Sequence, residues 1–150
     1  MPEELLSLDQ DLFRLINSGW SNAFFDFLMP LLRNRYLWIP LYFFLAVLWV
    51  WKYKKTGWLM LLFFGLTFAI SDYTSASIIK PAVDRLRPCN EPAFKEQVTL
   101  RVDCGTGLSF PSSHATNHFA LGIFLIVLFY RRLKPVILLG LAWAISIGLA

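Results

Sequence analysis

The chain has 150 residues, of which 57% are hydrophobic, 17% aromatic and 16% charged, with a formal net charge of +4. A soluble domain carries about 45–50% apolar and about 25% charged residues, and one small core cannot hide this many Phe, Leu and Trp side chains from water. The arithmetic excludes a disordered chain, and two cysteines exclude a disulfide-dense scaffold. Cations gathered at the ends of apolar runs, with no basic stripe, exclude a nucleic-acid binder. An integral membrane protein remains.

Residues 1–35 hold no full span. Their apolar positions recur at helical spacing with acids between them and a break at Ser18-Gly19, which predicts two short amphipathic helices lying in the membrane interface. The acidic N-terminus lacks the long apolar core of a cleavable signal. Crossing the hydrocarbon takes about 20 mostly apolar residues, and segments 36–51, 56–79 and 115–130 qualify. A fourth apolar run, 135–150, continues to the last residue. Trp and Tyr at the ends of these runs suit the headgroup boundary. The expected fold is all-α: a helical bundle of about four transmembrane helices plus the N-terminal interfacial pair, forming a single domain over 1–150.

Loops 52–55 and 131–134 carry three cations each and no acid, so the positive-inside tendency makes both cytoplasmic. Loop 80–113 then lies outside, as does the N-terminus. Arg33 and Arg35 sit on that outer side, against the same tendency.

Chemistry concentrates in the outer loop. Lys80 and Arg87 are seven apart, which on a helix returns to nearly the same face, with Asp84 between them. Because Pro81 disfavours a helix through Lys80, the helix is expected to end there and restart at Pro81. The two cations either anchor the helix at the interface or bind an anion. Ser112 and Ser113 precede a long apolar helix, so one of them caps it, and the free amides at such an end form a ready phosphate site. His114 stands beside them; a bound phosphate can hold its imidazole protonated for donation to a leaving group. Simple capping and an interfacial polar histidine are the alternative. Together these residues read as a site for a phosphorylated lipid headgroup.

Lys80-x6-Arg87-Pro88 matches K-x6-R-P, the first signature of the type 2 phosphatidic acid phosphatase (PAP2) superfamily, and Pro111-Ser112-Ser113-His114 resembles its second, P-S-G-H. The resemblance covers roughly residues 56–130. It implies a phosphatase that needs no metal or other cofactor and works through a phosphohistidine. Lys80 and Arg87 would clamp phosphate oxygens, Ser112 and the backbone at Ser113 would bind the same group, and His114 would protonate the departing group. Ser113 departs from the family's Gly and could either donate to the phosphate or crowd it. The third signature, S-R-x5-H-x3-D, supplies the nucleophile and is missing, since the only histidines are His114 and His118. The expectation is a chain lacking its C-terminal part, inactive as written.

Elsewhere, His118 reads as an inward polar contact to Asn117 or a headgroup, not a metal ligand. Asp72, costly if unpaired within a span, is expected to pair with Lys80 or another cation. Cys89 and Cys104 share the outer loop, where a bridge closing about 15 residues is worth about 3 kcal/mol in the chain-entropy model. The other loop charges, Arg85 and Arg101 among them, read as a solvated surface, and Gly105 and Gly107 as a flexible approach. The composite expectation is a lipid phosphatase of the bacterial plasma membrane whose site faces the extracytoplasmic side. Its substrate would be an isoprenoid diphosphate, phosphatidylglycerol phosphate or phosphatidic acid. A non-catalytic membrane protein or subunit that binds lipid phosphates is the alternative.

Overall fold

A computed structural model describes residues 3–92 and 95–149, and no strand occurs among them. Helix α1 (Glu3–Arg14) runs on through a π-helical turn at Leu15–Gly19, and α2 (Ala23–Arg33) follows. The Asn22 Oδ1 accepts from the amides of Phe24 and Phe25, both at 3.0 Å. The break therefore falls at 20–22 and not at Ser18-Gly19, because the capping side chain decides where the second helix starts. A 3-10 turn at Arg35–Trp38 enters α3 (Ile39–Tyr53), and Lys54 then reverses the chain into α4 (Lys55–Tyr73). A π-helical turn at Thr74–Ile79 links α4 to the short α5 (Lys80–Val83); α6 (Ser113–Phe129) and α7 (Pro135–Leu149) complete the fold. The stretches Arg35–Tyr53 and Lys55–Asn90 each contain helix long and apolar enough to cross a membrane, while α6 and α7 are shorter apolar helices.

Helix α6 lies at the centre, against α7 and α4, with α3 packed on α4 and α2 touching α7. Small residues permit the closest crossings, as expected where backbone approach and dispersion hold helices together. A Cβ on Gly122 would stand 3.0 Å from the Gly140 carbonyl oxygen, and one on Gly57 only 2.1 Å from that of Trp49. The Trp49 ring, 1% exposed, sits among Phe64, Phe124 and Phe129 with centroids 5.4 to 6.5 Å away. Other large apolar groups point outward: Phe27, Phe43, Trp51 and Leu138 are each at least 70% exposed.

Two polar contacts differ from expectation. Asp72 makes no ion pair among the described residues; its carboxylate accepts from Asn117 Nδ2 at 2.9 Å. A neutral donor one helix away satisfies the carboxylate where no cation reaches it. His118, the next residue and so rotated about 100° around α6 from Asn117, turns elsewhere. Its Nδ1–H donates to the His114 carbonyl at 2.7 Å, its Nε2 accepts from the Tyr42 hydroxyl at 3.3 Å, and its ring packs edge-on against Trp38 and Trp143.

Candidate functional site

The chain stays helical through Lys80 even though Pro81 follows, with Lys80 at φ −55° and ψ −51°. The wider π-turn immediately before it gives the proline ring the room that an α-turn denies. Lys80 and Arg87 therefore do not share a helix face. The helix stops at Val83, Asp84 adopts the left-handed conformation at φ 48°, and its amide closes the turn on the Lys80 carbonyl at 2.9 Å. Aspartate tolerates that conformation better than most residues. Arg87 then lies on extended backbone, returned toward Lys80 by the turn.

Several contacts hold Arg87. Its Nε donates to the Gly107 carbonyl at 3.1 Å, and its guanidinium lies flat on Gly105, where a Cβ would stand 3.2 Å from Cζ. Next to it, Cys89 and Cys104 form a disulfide with Cα atoms 6.1 Å apart, and Asn90 Nδ2 donates to the Gly105 carbonyl at 3.0 Å. Gly105 therefore serves as the bed of Arg87, which a side chain there would lift, while Gly107 contributes its carbonyl and has open space where a Cβ would stand. Among the described residues only Nε is engaged, so the terminal guanidinium nitrogens keep their donor capacity.

Ser112 caps α6: its Oγ accepts from the Ala115 amide at 3.3 Å, while its carbonyl accepts from the Thr116 hydroxyl at 2.9 Å. The Ser113 Oγ lies 3.4 Å from the buried Ser75 Oγ, on the π-turn that precedes Lys80. The side chain that replaces the family's glycine is thus directed at the neighbouring helix. His114, in the first turn of α6 ahead of the apolar stretch 115–130, lines a cavity together with Lys80, Arg87, Ser112 and Ser113. Its imidazole is pushed below the ordinary value by partial burial, then by the charges of Arg33, His118, Lys80 and Arg35. The cavity measures about 1040 Å³, far more than one phosphoryl group fills.

The N-terminal helices form its roof. Phe13, Ile16, Trp20, Phe25 and Met29 add an apolar wall. Their attachment runs through charges that read as solvated in the sequence. Arg85 pairs with Asp9, and Arg101 pairs with Asp26 while donating to the Asn17 carbonyl at 2.8 Å. Asn17 also exchanges two bonds with the Thr99 backbone, at 2.8 and 3.0 Å. Leu8, Leu12 and Leu15, along the flank of this segment beside the cavity-lining residues, are at least 50% exposed. No group of His, Cys, Asp and Glu able to hold a metal ion occurs among the described residues.

Sequence reasoning missed Arg33, which lines the same cavity from the end of α2. Its only signal was a cation on the wrong side of the charge rule.

The family pattern described as the PAP2 superfamily matches residues 56–150. Over 138 residues the chain is 33% identical to a protein of Bacteroides thetaiotaomicron named lipid A 4'-phosphatase. The match covers 88% of this chain and 60% of the length of that relative. No solved structure matches the chain.

Proposed function

The chain belongs to the PAP2 superfamily, and from that premise we propose that it forms the phosphate-binding part of a bacterial membrane phosphatase acting on a phosphorylated lipid. The observation that carries the reading is the single cavity lined by Lys80, Arg87, Ser112, Ser113 and His114, residues drawn from two distant segments. Of the cations around it, Arg85 and Arg101 are already paired with carboxylates, whereas Lys80 makes no ion pair among the described residues. The apolar roof and the outward-facing Phe, Trp and Leu side chains support a lipid surrounding. In this reading α3, α4, α6 and α7 cross the bilayer, the N-terminal helices lie in its outer interface, and the cavity opens to the extracytoplasmic side.

The substrate's acyl or prenyl chains lie along the helices while its headgroup enters beneath the roof. Lys80 Nζ and the free guanidinium nitrogens of Arg87 hold phosphoryl oxygens. Ser112 serves as cap, so the amides of Ser113 and His114 offer the α6 N-terminus to the same group. Those donors also stabilise the charge that builds on the oxygens as the bond to the leaving group breaks. His114 takes up a proton when the anion binds and passes it to the departing oxygen. The attacking nucleophile of the phosphohistidine route is a histidine other than His114, and His118, buried against Tyr42 and Trp143, does not reach the phosphoryl group. The relative's name supports a lipid carrying a sugar-bound phosphate as one substrate class; isoprenoid diphosphates, phosphatidylglycerol phosphate and phosphatidic acid are the others.

The test is phosphate release from such lipids by detergent-solubilised protein made from the full coding sequence, with EDTA present. Turnover that persists in EDTA, disappears in His114→Ala with binding partly kept, and loses affinity in Arg87→Ala supports the proposal. Unchanged kinetics in both variants removes this site from the reaction.

A further inference from the structure

Arg33 and Arg35 break the charge rule together, but they are used differently. The Arg35 guanidinium lies over the Tyr36 ring, 5.1 Å from its centroid, and donates to that hydroxyl at 3.3 Å. It is an exposed interfacial anchor. Arg33 is half-buried, lines the cavity, and makes no hydrogen bond or ion pair among the described residues.

An arginine in the last turn of a helix ordinarily serves the free carbonyls there. At the end of α2 that work is done by others: the Asn34 amide donates to the Leu31 carbonyl at 3.0 Å, and the Trp38 indole N–H donates to the Leu32 carbonyl at 2.8 Å. Arg33 is left facing cations. Arg87 opposes its charge, and among the charges acting on His114 that of Arg33 comes first, ahead of Lys80. Among the described residues the lining holds two carboxylates, of which Asp9 is bound to Arg85, leaving Asp103 against Arg33, Lys80 and Arg87. Partly desolvated like charges with so little compensation are costly, and an anionic ligand would offset that cost.

We infer that Arg33 is a substrate-binding residue of the phosphate cavity, contributing a third cationic contact to the phosphorylated headgroup from the N-terminal roof. The inference rests on the phosphate site proposed above. It ties the roof to the chemistry, because a substrate that engages Arg33 draws the end of α2 toward the Lys80–Arg87 clamp. The oxygens it meets belong either to the reacting phosphoryl group or to a second phosphate on the same headgroup.

The test measures inorganic phosphate binding by the purified chain in detergent, alongside the His114 titration followed by NMR, for wild type, Arg33→Gln, Arg33→Lys and Arg131→Gln. Arg131 lies just beyond the far end of α6 and controls for loss of one charge. The expected result is about a tenfold loss of phosphate affinity in R33Q with a rise in the His114 pKa, since a repelling cation is gone. R33K should keep the titration near wild type but recover affinity only in part, because an ammonium lacks the planar fork. R131Q should change neither. A pyrophosphate arm separates the two sources. A larger R33Q loss for pyrophosphate than for phosphate assigns the second phosphate, and equal losses assign the reacting one. Wild-type binding that R33Q leaves intact, or equal losses in R33Q and R131Q, overturns the inference alone. Failure of the wild type to bind phosphate overturns the underlying site with it.

Discussion

Replacing Arg101 with alanine should loosen the roof of the cavity. The Arg101 side chain is 17% exposed and joins three segments, pairing with Asp26 of α2 and donating to the Asn17 carbonyl at 2.8 Å. Because the Asp26 carboxylate is 40% exposed, solvent screening holds the ion pair to about 1 kcal/mol. The bond to the Asn17 carbonyl adds about 1 kcal/mol. A total near 2 kcal/mol is about a 30-fold shift toward the open roof. Amide hydrogen exchange reads this directly: protons of α1 and of the turn Leu15–Gly19 should exchange about 30-fold faster in R101A, while those of α6 keep their wild-type rates. Asp26→Asn, which removes only the charge, should accelerate α1 by about fivefold. Exchange in α1 that stays within a factor of three of wild type in R101A would refute the idea that these loop charges fasten the roof.

With its pKa depressed by partial burial and nearby cations, His114 is neutral at pH 7 without ligand, and a bound phosphate should raise that pKa. Binding therefore takes up a proton. Phosphate affinity should fall as pH rises from the depressed value through that of the complex, and His114→Asn should flatten this dependence beyond phosphate's own ionisation, as calorimetry across pH would show. The same depression means that the unfolded chain protonates first below about pH 6.5. Thermal stability should accordingly fall between that pH and the lowered value, with no contribution from His114 above it. Gly57→Ala places a Cβ 2.1 Å from the Trp49 carbonyl oxygen, a clash with backbone that no rotamer relieves. It should separate α3 from α4 and cost about 1–3 kcal/mol, seen as a drop in thermal midpoint that Gly65→Ala, with open space around it, does not reproduce.

Much of the candidate site can be read from the chain because the polar groups that line it cluster within two short segments. Helix starts mark themselves as well, as the Ser112 cap shows. What stays hidden depends on backbone geometry or on partners far along the chain. Seven-residue spacing suggests a shared helix face for Lys80 and Arg87, yet a π-turn before Pro81 and a left-handed Asp84 bring them together by a different route. Arg85 and Arg101 look solvated because their carboxylates lie 76 and 75 residues away. Gly105 and Gly107 suggest flexibility, whereas the missing side chain of Gly105 makes room for a guanidinium and the carbonyl of Gly107 accepts from it. Asp72 invites an ion pair, and only the crossing of α4 with α6 shows that Asn117 meets it instead.

The measurement that bears most directly on the central claim is the position of a phosphate analogue, such as tungstate, located by its anomalous scattering in crystals of the protein. The account predicts one strong peak in the cavity, with oxygens about 2.7–3.2 Å from Lys80 Nζ, the Arg87 guanidinium and an amide in the first turn of α6, and His114 alongside. A peak held by Arg131, Arg132 or the lysines at 52–55, with the cavity empty at the same anion concentration, would contradict it.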